Sequence, residues 1–397
     1  MLKSEFDFDW AIAPVTRSEF FENVFEKKHL VVKRNQSDYY ANLLTIADID
    51  DAVANMGMSV PEITVTKANA GITADDYSYG TGHIDPIRTN QLFADGATII
   101  ASGLQERHPR LARYCRALES VFSSRVQTNI YLTPANSQGF KAHYDNHCVV
   151  VLQVEGTKEW RFYDTPVALP LNTQGFNPHD VAIGEETARV VLEPGDMLYV
   201  PRGMTHDAVA TDQTSLHITT GLMVATWADV IAEAVSTIAH NDPAFRGAIT
   251  PGYANAGFDN SGSEAHFRAL LKKLSESSEM MPLLANFKDN FISGRVPRVE
   301  GQMANVAKLS GLSVADTVSA RPHLVYNITT TEGEDASVTV QCHNSEITLP
   351  IFAMEAMEFA LSNGPFAISD MPGNLDDDGK LVLVRRMVRE GLMLIND

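Results

Sequence analysis

His143, Asp145 and His206 are the residues of this chain whose types and spacing point to chemistry. A His-x-Asp pair is followed, about sixty residues later, by a second His. Alternation along a strand would turn His143 and Asp145 to the same face. Two neutral imidazoles and one carboxylate at one point, with coordination positions left open, form the donor set of Fe(II) oxygenases that carry no haem. The open positions can accept a bidentate 2-oxo acid and dioxygen. A His-x-Asp pair alone is commonplace and says little. Here the second His closes GDMLYVPRGMTH, a turn of Gly, Pro and Arg that suits the entry of a strand at a barrel rim. His147 has the strand parity of Asp145, and we read it as a rim or supporting residue rather than a ligand.

The elements that must position these side chains show in the surrounding pattern. Between Val126 and Val224 the runs VQTNIYLT, CVVVLQVEG, KEWRFYD, ARVVLEPG, DMLYVP, HDAVAT and SLHITTGL each read as a strand followed by a turn. Many short strands at close spacing predict an antiparallel sandwich or barrel. Upstream, Phe20, Phe21, Val24 and Phe25 recur at helical spacing, His29 to Val32 reads as a short strand, and a second helix is expected from Ala41 to Met56. EITVTKA is β-like. GATIIASGLQERHPRLARYCRALESVF reads as helical after its first few residues, with Leu111, Tyr114, Cys115, Leu118 and Phe122 as a core stripe. From Trp227 the pattern is helical again, with Pro243 and Pro251-Gly252 as stops. HLVYNITT, ASVTVQC and EITLP return to strands, and the tail reads helix, helix, helix and short strand.

Composition bounds the function. The chain has 397 residues, 44% hydrophobic and 20% charged, enough for a large core and two or three domains. Its net charge of −19 argues against binding phosphate backbones, which needs a basic footprint, and suits a basic protein partner. Three scattered cysteines make no disulfide framework and fit a reducing compartment. The N-terminal stretch shows no secretory signal and no apolar run reaches membrane-spanning length, so the expected location is cytoplasmic.

NIYLTPANSQGFKAHYDNHCVVVLQVEGTKEWRFY resembles the core of the ribosomal oxygenases, a branch of the JmjC (cupin-fold) 2-oxoglutarate dioxygenases. GATIIASGLQERHP, FFENVFEKKHLVVKR and GDMLYVPRGMTHDAVATDQTSLHITTGL are also similar to that family. The resemblance implies an α+β fold: a JmjC/cupin double-stranded β-helix (jelly-roll) barrel, a helical dimerisation region and a C-terminal winged helix. The corresponding domains would be 1–225, 226–320 and 321–397. It implies His143, Asp145 and His206 as iron ligands and Lys158 as the anchor for the far carboxylate of 2-oxoglutarate. A cation fifteen residues after the first ligand is chemically suited to neutralise that carboxylate. Asn129 and Tyr131, on one face of the preceding strand, are implied to line the co-substrate pocket, with His217 and Thr219 as further candidates. Tyr144 and Trp160 are read as packing. Lys141-Ala142 departs from the family's apolar or proline residues before the first His. Asn146-His147-Cys148 departs from its acidic and apolar residues after the Asp. These positions are read as bordering the substrate entrance.

The function this implies is an Fe(II)- and 2-oxoglutarate-dependent protein hydroxylase consuming dioxygen. Its target would be a histidyl or arginyl residue of a ribosomal protein, and the enzyme a homodimer that binds neither nucleic acid nor membrane. Two alternatives stay open. One is a related oxygenase acting on another peptide, a methylated lysine or a small molecule. The other is a metal-binding cupin scaffold without activity.

Overall fold

The seven β-type runs between Val126 and Val224 are all strands in the computed structural model, which describes residues 6–343 and 345–396. Three strands precede them: β1 (Leu30–Val32), β2 (Ile63–Thr66) and β3 (Thr98–Ser102). The seven are β4 (Arg125–Thr133), β5 (Cys148–Glu155), β6 (Lys158–Tyr163), β7 (Glu186–Leu192), β8 (Met197–Val200), β9 (His206–Ala210) and β10 (Ser215–Met223). They form two antiparallel sheets, ordered β1-β8-β5-β10-β4-β3-β2 and β7-β6-β9. Between the sheets, Val149, Val151, Leu198 and Val200 pack against Trp160, Phe162 and Leu192. The alternate residues of the large sheet, among them Val150, Leu152 and Tyr199, turn outward onto Phe8, Phe20, Leu43 and Leu118 of the N-terminal helical layer. Strand β5 is therefore covered on both faces, which is why CVVVL reads as an unbroken apolar run instead of an alternating one.

Local chemistry sets the boundaries. The helix expected from Ala41 to Met56 is Ile46–Asn55, started by a reciprocal pair in which Thr45 and Asp48 cap each other's backbone. The long stretch after Gly96 begins as β3, and its helix starts only at Pro109, where proline's fixed φ suits the first turn. β5 and β6 join through Gly156 at φ +59°, where a Cβ would stand 2.0 Å from the Thr214 carbonyl oxygen. Only glycine fits there.

After Val224 the chain forms a separate compact unit, Ala225–Arg295, built from helices Trp227–Asn241, Ser261–Ser277 and Met280–Gly294. Thr226 and Asp229 cap its first helix reciprocally. Several large apolar side chains on this unit face outward, among them Trp227 at 71% and Met281 at 76% exposure.

The chain from Val296 onward returns to the unit that contains the barrel. It carries β11 (Thr317–Ala320), β12 (Tyr326–Thr330), β13 (Ser337–Cys342), β14 (Ser345–Pro350), β15 (Phe366–Ala367) and β16 (Met393–Ile395). Two three-stranded sheets, β15-β11-β16 and β12-β13-β14, share a core with helices Met354–Ser362 and Asp377–Arg389. Where the sequence suggested a third helix in the tail, the chain makes β15 and a short 3₁₀ turn, Ile368–Asp370. Gly364-Pro365 interrupts the helical hydrogen bonding at that point. Arg321 ties this lobe together, donating to the Gly391 and Glu300 carbonyls at 2.8 and 2.9 Å and to Gln302 Oε1 at 3.0 Å. None of the described helices is long and apolar enough to cross a membrane.

Candidate active site and metal centre

His143 does not lie on a regular strand. It sits in the segment before β5 and pairs through its backbone with the first residue of β9: His143 N donates to His206 O at 3.0 Å, and His206 N to His143 O at 2.8 Å. This single bridge, rather than strand alternation, brings the two imidazoles together, with ring centroids 4.9 Å apart. Asp145 is held by its own carbonyl, which accepts from Gly203 N at 2.8 Å. The turn before His206 thus fixes both the His and the Asp.

The hydrogen bonds of the rings determine which nitrogens are free. His143 Nδ1 lies 2.8 Å from the Lys141 carbonyl oxygen and His206 Nδ1 2.9 Å from that of Met204. A carbonyl only accepts, so each Nδ1 carries the hydrogen and each Nε2 presents a lone pair. Both Nε2 atoms face Asp145, at 3.9 Å from Oδ1 for His143 and 3.8 Å from Oδ2 for His206. These separations are too long for hydrogen bonds and suit three donors around one cation with bonds of roughly 2 Å. The three ligand atoms lie within 4.8 Å of one another, the one such group among the described residues. Burial lowers the pKa of His206, and the neighbouring His143 lowers it further, so the ring stays neutral as a ligand must. The donor set fits a divalent first-row metal.

A cavity continues inward from these ligands between the two sheets. Strand β6 turns Lys158, Trp160 and Phe162 inward. Lys158 is 3% exposed, donates to Thr133 Oγ1 at 2.9 Å, and lies 5.8 Å from the centre of the Tyr131 ring. Burial pulls its pKa down to about 7. Tyr131 and His217, opposite each other on β4 and β10, stack at 4.8 Å with planes 3° apart. The Nδ1 of His217 and the Nε1 of Trp160 are buried and make no hydrogen bond within the protein. A buried ammonium beside unpartnered polar atoms is the lining expected of a site for an anionic, oxygen-rich molecule.

Residues 103–230 match the family model for the JmjC domain. The matched segment spans β4 to β10 and every candidate site residue. Its curated relatives include the "Bifunctional lysine-specific demethylase and histidyl-hydroxylase NO66" of Dictyostelium discoideum, 35% identical over 236 residues, covering 57% of this chain and 44% of that protein. Another is "Ribosomal oxygenase 1" of Homo sapiens, 32% identical, covering 58% of this chain and 36% of that protein. The chain thus spans half or less of the length of these relatives. Among solved structures, YcfD, a ribosomal oxygenase from Escherichia coli in complex with cobalt and succinic acid, aligns with a TM-score of 0.57. That alignment covers 97% of this chain and 99% of YcfD at 15% identity, and shows a shared fold. The resemblance to the ribosomal oxygenase branch read from the sequence agrees with the curated relatives, and the JmjC core with the family model.

Within the matched segment, Tyr131, Lys158, His217 and Thr219 line the cavity together with the three candidate ligands. Asn129 pairs across the sheet with Thr219, but it is not among the lining residues, and its Oδ1 is buried without a partner. His147 stands outside the metal group, its ring against Gly221. Trp160, read as packing, both packs and lines the cavity. Of the residues expected at the entrance, Lys141 and Ala142 line an adjoining groove, and Asn146 Nδ2 holds the Asn172 carbonyl at 2.6 Å. Cys148 is different. It is fully buried as the first residue of β5 and belongs to the core. Sequence reasoning missed Thr133, the partner of Lys158, and Asp207, which Arg161 grips through two 2.7 Å bonds. Strand parity was available for Thr133, which lies two residues from Tyr131 and so shares its face.

Proposed function

We propose that this chain is an Fe(II)- and 2-oxoglutarate-dependent protein hydroxylase, with a histidyl or arginyl residue of a ribosomal protein as its target. One observation carries the reading. Two imidazole Nε2 atoms and a carboxylate converge at the mouth of a cavity that contains a buried lysine. The relatives' names, histidyl-hydroxylase and ribosomal oxygenase, suggest the substrate class. The YcfD structures with cobalt and with 2-oxoglutarate show that protein binding the corresponding groups.

Iron, bound with 2-oxoglutarate and dioxygen, supplies the oxidising power that no side chain has. His143, Asp145 and His206 would hold it, and the backbone bridge between the histidines keeps the donors in place beforehand. Lys158 would bind the far carboxylate of 2-oxoglutarate, with Thr133 holding the ammonium in position. The stacked Tyr131 and His217, closed by Trp160, wall the pocket and exclude water. No side chain has to move a proton to the substrate.

The test is purified protein with Fe(II), 2-oxoglutarate and ribosomal proteins, reading succinate formation and one added oxygen on the substrate. His143→Ala and His206→Ala should each abolish both signals, and full activity in either sinks the ligand assignment. Metal binding without turnover on any substrate would favour the scaffold reading. Because NO66 relatives are also named lysine-specific demethylases, methyl-lysine peptides belong in the same assay. The outward apolar side chains Trp227, Ile231 and Met281 support assembly as a homodimer through the helical unit. The helix–strand order of the C-terminal lobe supports a winged-helix-like module, and three reduced, buried cysteines suit work in the cytoplasm.

A further inference from the structure

A groove of about 690 Å³ opens beside the metal centre and shares Gly139, Phe140 and His143 with the inner cavity. Two of its walls are aromatic. Phe140 and Phe176 flank the His143 ring, with centroids 5.8 and 6.4 Å away. Val181 and Ile183 extend the apolar lining. The charged groups among its lining residues, His143 aside, are Lys67 and Lys141, and no carboxylate lines it. In a chain of net charge −19 this is a local reversal of sign.

The walls are held in place. Gln138 Nε2 donates to the Phe140 carbonyl at 2.9 Å and to Asp207 Oδ2 at 3.1 Å, while Arg161 fixes Asp207. On the other side, Arg202 Nη1 donates to the Pro170 carbonyl at 2.7 Å and Asn146 to that of Asn172. These bonds tether the loop that carries Phe176. A preformed groove loses less on binding than one that must first be ordered.

We propose that this groove receives the substrate segment flanking the target residue, and that it selects segments whose neighbours are apolar and not basic. The inference rests on the hydroxylase reading above. A side chain that reaches His143 and Asp145 from the groove leaves its main chain lying between Phe140 and Phe176. The acidic surface steers a basic protein from a distance, but at close range Lys67 and Lys141 repel lysine or arginine beside the target. Specificity then comes from the aromatic walls, since binding energy concentrates on aromatic groups that a partner covers.

Fluorescence polarisation on the full chain tests this with short labelled peptides centred on one histidine or one arginine, flanked by Leu and Ile, by Lys, or by Glu. The apolar-flanked peptides should bind about tenfold or more tightly than the Lys-flanked ones, and the Glu-flanked ones more tightly than the Lys-flanked ones. Phe176→Ala and Phe140→Ala should each weaken the apolar-flanked peptides about tenfold. Lys141→Glu should raise affinity for the Lys-flanked peptides. Phe176 lies on a loop and is half-buried, so its substitution should leave the barrel folded. Equal or tighter binding of Lys-flanked peptides to the wild type, or unchanged affinity in Phe176→Ala, overturns the proposal. A Co(II) absorption titration of the same samples separates the two readings. Co(II) binding without peptide selection overturns the groove alone. Peptide selection without Co(II) binding supports the groove and overturns the metal reading.

Discussion

Lys158 is a liability to the fold that the proposed site would put to use. Its ammonium is buried with a single hydroxyl partner, Thr133 Oγ1, so burial lowers its pKa from the ordinary lysine value of 10.5 to about 7. Between those values the unfolded chain holds a proton that the folded chain does not, so this group's contribution to stability rises with pH across that window. At and below pH 7 its burial is at its most costly. Lys158→Met should therefore leave the melting temperature equal to or above that of the wild type, while 2-oxoglutarate binding is lost; a large drop in melting temperature would make Lys158 structural. A bound carboxylate favours the ammonium, so binding above pH 7 should take up a proton and affinity should fall as pH rises to about 9. Calorimetry in buffers of different ionisation enthalpy reads that proton directly, and a pH-independent affinity would count against the assignment.

Elements set by strong local patterns were legible in the sequence. The runs of β4 to β10 are short, rich in β-branched residues and closed by turns, so tertiary context had nothing to override. β3 was harder to see, because TIIAS is a short apolar run that leads straight into a helical stretch. The candidate ligand group of His143, Asp145 and His206 was readable in the sequence, although a one-residue bridge and not a strand arranges it. Lys158 needed the resemblance, since nothing local distinguishes it from a surface lysine. Phe176 was invisible, because its loop has no periodicity and owes its position to Arg202 and Asn146. Gly203 carries a prediction at this level. It has φ +86°, a Cβ there would lie 2.2 Å from the Val167 carbonyl oxygen, and its N–H holds the Asp145 carbonyl. Gly203→Ala should cost at least about 2 kcal/mol in urea unfolding and weaken Co(II) binding with it. A variant with wild-type values for both would show that the turn does not set the site.

For the molecule as a whole, the C-terminal lobe is built into the same compact unit as the barrel. Arg113 pairs with Glu300 at 2.9 Å, and Arg298 pairs with Glu106. These are partly exposed pairs and contribute little individually. Arg321 matters more, since its removal strands three buried or half-buried acceptors. Arg321→Leu should destabilise the chain by about 2–4 kcal/mol, read as a shift in the urea midpoint. An unchanged midpoint would mean that water replaces the guanidinium at no cost. Net charge, by contrast, is a poor guide at short range: −19 describes the far field, while Lys67 and Lys141 govern the groove.

The backbone bridge between His143 and His206 has a consequence for how the proposed centre would gain and lose a metal. The two histidines are paired through their backbones, so emptying the centre removes a charge without freeing a loop. Chelation should leave circular dichroism unchanged and lower the melting temperature only by the mass-action amount set by metal concentration. The apoprotein would then be a ready receptor that refills without refolding, and which metal occupies it would follow supply and donor chemistry rather than the history of the fold.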